Sequence, residues 1–116
     1  MSMKSFMHEF LAATRANPLD ERERVLQDAT FFQIRPFEST VRLSNIRTVN
    51  PGCGAGTEGL RWLLSLADTH QISILGDAEP TGHCSLDAAA LRAWYRRHGF
   101  EVSSRGAIEY TPGDAQ

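Results

Sequence analysis

The sequence has few cysteines, no long apolar run and no excess of either charge. Its two cysteines, Cys53 and Cys84, are too few for a disulfide framework, and neither lies in a CxxC or zinc-ligand spacing. We therefore expect free thiols and no metal site. The apolar clusters, such as the one from Trp62 to Leu66, fall far short of the roughly 20 residues that a membrane span needs, and the N-terminus has no signal-peptide pattern. These two absences predict a cytoplasmic protein.

The composition is that of a globular chain. With 41% apolar residues, 22% charged residues and a formal net charge of -2, it is neither as poor in apolar residues as a disordered chain nor as basic as a nucleic-acid binder. Its 116 residues suffice for one core and are too few for two ordinary domains. We therefore expect a single domain over residues 1–116, with neither a nucleic-acid nor a membrane partner.

The N-terminal third predicts two helices. Apolar residues at helical spacing indicate a first amphipathic helix over about 5–16, which Asn17-Pro18 ends. The same pair can start a second helix, with Asn17 as the N-cap and Pro18 at the first helical position. The apolar side of that second helix would consist of Val25, Leu26 and Ala29.

Two strands follow and predict a hairpin. Phe31 to Ile34 has strand composition, and a longer strand runs from about Thr40 to Val49. In the longer strand the apolar phase slips by one residue after Leu43, as a β-bulge would produce. A half-buried strand with a polar interruption at Ser44-Asn45 accounts equally well for the pattern.

A βαβ unit comes next and predicts an α/β fold. A period near 3.6 makes Thr57 to about His70 a helix, and Ile72 to Leu75 is typical of a buried strand. Its two strands would lie parallel if they are neighbours in one sheet. The segment Ala78 to Cys84 has loop composition.

The C-terminal third predicts a helix and two strands. Ser85 caps the helix, and Gly99 stands where a left-handed C-terminal residue belongs. The strands are predicted around Phe100-Glu101-Val102 and from Ala107 to Tyr110.

The segment Gly52-Cys53-Gly54-Ala55-Gly56 lies between a predicted strand and a predicted helix. Glycines there let consecutive N–H groups point at one anion, and the helix dipole adds attraction, so a pyrophosphate suits the place. No Lys-Ser or Lys-Thr follows the glycines, which excludes a Walker-type loop, and the Rossmann fingerprint is not met. An ordinary tight turn remains the alternative.

Two segments resemble motifs of the GNAT N-acetyltransferases. Gly54-Ala55-Gly56-Thr57, with Leu60 and Leu63-Leu64, is similar to the glycine segment that opens the family's central helix. The run from Leu91 to Phe100 is similar to the family's helix that ends in Tyr followed, after three residues, by Gly-Phe. The resemblance implies a mixed central sheet that is splayed between two strands and flanked by helices.

The resemblance covers about residues 40–112, which would form the acyl-CoA-binding core. It is closest to short phage and bacterial members that end in a strand followed by proline, here Tyr110-Thr111-Pro112. Full-length members place a strand and two helices before their central hairpin. This chain is expected to begin with variable helices over 1–39 and to lack the first strand, giving a reduced N-terminal half.

The resemblance implies acetyl-CoA as co-substrate. Backbone amides of Cys53, Gly54, Ala55, Gly56 and Thr57 would hold its pyrophosphate. Backbone N–H groups of Arg47, Thr48 and Val49 would hold the pantetheine arm and stabilise the thioester oxyanion.

Tyr95 matches the family tyrosine that protonates the departing thiolate, although an aromatic beside Trp94 on such a helix is also typical of a core residue. A base must take a proton from the acceptor amine, and among the polar residues near the site Glu79 is preferred. The other candidates are Asp77, His83 and His70, and the spacing of His70, His83 and Cys84 does not match a metal site.

Two departures from the family pattern leave two functions open. Pro51 stands where the family has Gln or Arg and removes an N–H, and Gly59 replaces an apolar helix residue at a cost of about 1 kcal/mol relative to Ala. The first hypothesis is an acetyltransferase that acts on a protein or peptide amine. The second is a degenerate GNAT fold that binds and modulates a partner protein without catalysis. Exposed edge strands of this fold favour a homodimer in either case.

Overall fold

The computed structural model describes residues 3–27, 29–48, 55–78 and 88–112. These residues form a mixed seven-stranded sheet and three helices, which confirms the predicted fold class. In chain order the elements are α1 (Met3–Ala13), β1 (Thr14–Asn17), β2 (Asp20–Leu26), β3 (Thr30–Phe37), β4 (Thr40–Thr48), α2 (Ala55–His70), β5 (Ser73–Asp77), α3 (Ala88–Arg97), β6 (Glu101–Val102) and β7 (Ala107–Tyr110). The strand order across the sheet is β1-β2-β3-β4-β5-β7-β6.

The N-terminal third contains one helix, not two. The predicted first helix exists but ends at Ala13, and the predicted second helix is wrong because β1 and β2 form an antiparallel hairpin there. Asn17 caps a turn instead of a helix, since its side-chain oxygen accepts a hydrogen bond of 3.0 Å from the N–H of Leu19. Val25 and Leu26 point to opposite faces of the sheet, and both are buried. From the sequence alone, two adjacent apolar residues of this kind cannot be distinguished from the apolar side of a helix.

The N-terminal edge of the sheet also differs from the prediction. A strand precedes the central strands after all, so the expected lack of a first strand is wrong. The described part of the first 39 residues contains α1, β1, β2 and β3, not only helices. What is short is the β1–β2 connection, which consists of Pro18 and Leu19 alone.

The predicted β3–β4 hairpin and its bulge are both confirmed. Gln33 lies opposite Asn45 and Ile34 lies opposite Leu43, so that Ser44 is the additional residue of β4. The bulge brings Leu43 and Ile46 to the same face of the sheet although they are three residues apart.

The three described helices pack on one face of the sheet. The ring of Phe10 in α1 lies 6.0 Å from that of Phe32 in β3 and 5.7 Å from that of Trp62 in α2. On the same face Val41, Leu43, Ile74 and Ile108 are buried from β4, β5 and β7. None of the helices among the described residues is long and apolar enough to cross a membrane.

The chain reverses after α3 as predicted. Gly99 has a φ of +93°, the left-handed conformation expected at a helix C-terminus. The N–H of Phe100 donates to the carbonyl of Tyr95 at 3.1 Å, which directs the chain into β6. Strand β7 then lies between β5 and β6.

Candidate functional site

Strands β4 and β5 are paired in parallel over four residue pairs. They pair from Thr40 and Ser73 as far as Leu43 and Gly76, which confirms the predicted parallel βαβ unit. Beyond the bulge, β4 continues to Thr48 in contact with β3 on its other side. Among the described residues the last part of β4, beyond Leu43, is thus paired on one side only, because β5 ends at Asp77. We call this end of the sheet the open end; the splay that the resemblance implies here stays a prediction.

Gly76 lies at the last rung that β4 and β5 share. A Cβ atom built on it would lie 2.5 Å from the carbonyl oxygen of Leu43, a distance that real Cβ atoms essentially never show. Only glycine lets the two backbones approach this closely at that rung. The close approach of the two strands at this rung therefore requires a glycine, and the sequence pattern alone gave no sign of it.

The first two turns of α2 lie at the open end of the sheet. A Cβ atom on Gly59 would lie 2.6 Å from Cγ2 of Thr30, and Thr30 pairs with Thr48 at the end of β4. Gly59 therefore lets α2 approach β3 closely. The helix-propensity cost that marked Gly59 as a departure is compensated by this contact.

The predicted pyrophosphate cradle is partly described. Ala55, Gly56 and Thr57 form the first turn of α2, where the backbone N–H groups have no partner within the helix. Cys53 and Gly54 lie outside the described residues. The indole N–H of Trp94 in α3 donates to the Thr57 hydroxyl at 3.1 Å, so that α3 is tied to this first turn.

The predicted pantetheine contacts fall at the end of β4. Arg47 and Thr48 are its last two residues, whereas Val49 and Pro51 lie outside the described residues. The side chain of Arg47 takes part in a different interaction. Its guanidinium donates to both carboxylate oxygens of Glu23, at 2.7 and 2.9 Å, and lies 4.0 Å from the centre of the Phe31 ring.

Glu23 is a charged residue buried within the sheet. It is 4% exposed, and its carboxylate accepts a further hydrogen bond of 2.9 Å from the side-chain amide of Asn17. The hydrogen bonds from Arg47 lower the pKa of Glu23 below its ordinary value, against the effect of burial. The contacts of Glu23, Asn17 and Arg47 thus connect β1, β2 and β4 on the face away from the helices.

Tyr95 is in the core. Its side chain is 4% exposed, and its ring lies 5.0 Å from the rings of both Trp94 and Phe100. The helix α3 places it on the face that packs against the sheet. This position is that of a core aromatic, and the role of Tyr95 as an acid stays a prediction.

Of the four candidate bases, two lie among the described residues, and these two lie at opposite ends of the sheet. Glu79 and His83 lie outside the described residues. Asp77 ends β5 and forms an ion pair of 3.2 Å with Arg42. His70 ends α2 at the opposite end of the sheet, where its ring contacts Glu9 at 2.7 Å. Asp77 is therefore the one described candidate that lies at the open end.

Arg92 was not predicted as a site residue. Its Nε atom is buried and has no hydrogen-bond acceptor among the described residues. Its terminal nitrogen packs against Gly106, whose carbonyl accepts a hydrogen bond of 2.7 Å from the N–H of Ala78 just after β5. A guanidinium at this end of the sheet can bind a carboxylate or a phosphate oxygen.

Comparison with known proteins identifies the fold. No protein-family model matches the chain, and no curated protein matches it in sequence. Its structure is similar to that of the anti-CRISPR protein AcrVA5, with a TM-score of 0.64 and 14% identity over 75% of this chain and 95% of the other. It is also similar to the ribosomal-protein-S18-alanine N-acetyltransferase from Escherichia coli, with a TM-score of 0.53 and 16% identity over 100% and 95% of the two chains. The chain has the GNAT fold, as its two sequence motifs predicted.

Proposed function

We propose that the protein is an N-acetyltransferase that transfers the acetyl group of acetyl-CoA to an amine of a protein or peptide. The observation that carries the proposal is that β4 continues beyond its last rung with β5, at Leu43 and Gly76, at the end of the sheet where α2 begins. A strand that is paired on one side only offers an extended ligand unpaired backbone groups, and a helix N-terminus attracts its phosphates.

The reaction needs two proton transfers. The acceptor nitrogen bonds to the thioester carbon, the carbon–sulfur bond breaks, the amine gives its proton to a base, and the thiolate takes one from an acid. We assign Tyr95 as the acid and Glu79 as the base. Backbone N–H groups of Arg47, Thr48 and Val49 would stabilise the negative charge that develops on the carbonyl oxygen.

A macromolecular acceptor is supported by the two structural neighbours. One is named for an alanine of a ribosomal protein, and the other for its action against CRISPR systems. In this chain the β1–β2 connection consists of only Pro18 and Leu19, and the Leu19 side chain is 93% exposed. A sheet edge with so short a connection leaves space for a large acceptor.

Binding of acetyl-CoA is the first test. A ligand that binds only the native state at 100 times its dissociation constant stabilises it by about 2.7 kcal/mol, so the melting temperature must rise. We expect acetyl-CoA to raise it and an equal concentration of acetate to leave it unchanged. An unchanged melting temperature with millimolar acetyl-CoA would contradict the proposal.

Turnover is the second test. Release of free thiol from acetyl-CoA is measured with peptides that carry either a free α-amine or a lysine. In Tyr95→Phe we expect turnover to fall by about 100-fold or more, the usual range for loss of a general acid, with acetyl-CoA affinity unchanged. The ring remains in the core, so the fold is kept. Equal turnover would remove Tyr95 from the mechanism.

A non-catalytic binding protein is the second candidate. The burial of Tyr95 between two aromatic rings favours this second function, because packing alone then explains why an aromatic residue is found at this position. This function would be supported if the chain bound a partner protein and its melting temperature did not change with acetyl-CoA.

A further inference from the structure

The face of the sheet away from the described helices carries an ordered row of charges. Neighbouring residues in the row lie directly opposite each other on adjacent strands. In order across the sheet the row consists of Arg35, Arg42, Leu75, Glu109 and Glu101. All five are exposed, and we call them the charge row.

The charge row is antisymmetric about its centre. Leu75 in β5 is the middle residue and is 38% exposed. Two arginines stand on one side of it, on β4 and β3, and two glutamates stand on the other side, on β7 and β6. Because adjacent strands are about 4.8 Å apart, each arginine lies as far from Leu75 as one glutamate does on the opposite side.

Each half of the charge row is unfavourable in a single chain. Arg35 faces Arg42, and Glu101 faces Glu109, and like charges directly opposite each other destabilise a sheet. Arg42 is partly compensated by its ion pair with Asp77. The sheet thus carries two cross-strand repulsions of opposite sign on an exposed face with an apolar residue between them.

We propose that the charge row packs against the charge row of a second copy of this chain. A two-fold axis parallel to β5 places Leu75 against Leu75 of the second copy. The same axis places Arg42 opposite Glu109 and Arg35 opposite Glu101, twice each, because an isologous interface repeats every contact. One operation therefore offsets both repulsions with opposite charges from the second copy and covers the exposed leucine. This dimer uses the face of the sheet and not its edge strands.

Charge reversal tests the interface by light scattering after gel filtration. We expect the wild-type chain to be a dimer at high concentration and to dissociate more readily as salt is raised, since salt screens exposed charges. Arg42→Glu alone and Glu109→Arg alone should each be monomeric. A one-to-one mixture of these two variants should form a dimer, because each contact in the mixed pair then joins opposite charges. Arg61→Glu, an exposed reversal on α2, is the matched control and should stay dimeric.

Folding of each variant is checked by circular dichroism. If Arg42→Glu unfolds because Asp77 is near, the pair Arg35→Glu and Glu101→Arg gives the same test at the outer contact. A wild-type chain that is monomeric up to millimolar concentration would overturn the proposal. Single variants that remain dimeric, or a mixture of folded variants that stays monomeric, would do the same.

Discussion

The indole N–H of Trp94 donates a hydrogen bond of 3.1 Å to the hydroxyl of Thr57. Trp94 lies in the middle of α3, and Thr57 lies in the first turn of α2, so the contact fixes the position of that turn from outside the helix. The first turn carries the N–H groups that have no partner within the helix, and the proposed cofactor contact depends on them. Its orientation therefore depends on a residue about 40 positions later in the chain.

Trp94→Phe removes this hydrogen bond and keeps the aromatic ring. We expect the free energy of unfolding to fall by about 1 kcal/mol and the affinity for acetyl-CoA to fall several-fold, because the first turn of α2 is then less well oriented. Chemical denaturation and calorimetry measure the two effects. Thr57→Ser keeps the hydroxyl and serves as control. Additive effects of Trp94→Phe and Thr57→Val in the double variant would contradict a direct contact.

Two glycines can be compared by adding one methyl group to each. In Gly59→Ala the new Cβ meets the side chain of Thr30, and in Gly76→Ala it meets the backbone of Leu43. We expect both variants to lose about 1–3 kcal/mol of stability by overpacking. Thr30→Ala should recover part of the loss in Gly59→Ala, because it removes the nearest methyl and hydroxyl groups.

No side-chain substitution should recover Gly76→Ala, because the contact there is with a carbonyl oxygen. Chemical denaturation of the single and double variants provides the comparison. If Gly76→Ala were as stable as wild type, the close approach of β4 and β5 would be wrong.

The ion pair of Glu23 and Arg47 predicts a pH dependence with a definite sign. The pKa of Glu23 is lowered from its ordinary value of 4.5, first by the hydrogen bonds from Arg47. The stabilisation is therefore present above pH 4.5 and is lost as the pH falls through the lower value of the folded state. At pH 7 we expect Glu23→Gln to cost about 1.5–3 kcal/mol, the usual range for hydrogen bonds to a charged group.

The cost of Glu23→Gln should shrink in acid, because the wild-type carboxylate is then protonated as well. Urea unfolding at pH 7 and below pH 4 measures this difference. Glu21→Gln, at an exposed position of the same strand, is the control and should change stability by less than about 0.5 kcal/mol. A cost that does not vary with pH would contradict an ionised Glu23 in the folded state.

Tyr110 predicts a loss of stability in alkali. Its hydroxyl donates to Asp68 at 2.8 Å, and burial together with this bond raises the pKa of Tyr110 from 10.0 to about 12. Stability should therefore fall between pH 10 and about pH 12, because the unfolded chain releases the proton first. In Tyr110→Phe this part of the decline should disappear, as urea unfolding at increasing pH will measure. Equal slopes in the two proteins would count against the hydrogen bond with Asp68.

Local sequence patterns predicted the second half of the fold well. The bulge at Ser44 follows from the phase slip between Leu43 and Ile46, and Gly99 follows from its place after a helix. These features depend on neighbours in sequence, so a single chain displays them. The two motifs that identified the fold lie in the same half.

The N-terminal third was predicted poorly for a physical reason. Val25 and Leu26 are buried on both faces of β2, so the apolar pattern carries no period of two. Asn17 and Pro18 suit a helix start and a tight turn equally well. The side-chain contacts of Trp94, Glu23 and Arg92 were missed because their partners lie far away in the sequence.

The two-residue connection between β1 and β2 can be lengthened at a small cost in free energy. The family resemblance implies a strand and two helices before the central hairpin, whereas here only Pro18 and Leu19 join β1 to β2. Lengthening a loop costs only about 0.6 kcal/mol for each doubling of its length. A longer connection can therefore replace Pro18 and Leu19 while the sheet and the glycine segment stay unchanged. Under the proposed function, the contacts with the acceptor can then change without any change in the contacts with acetyl-CoA.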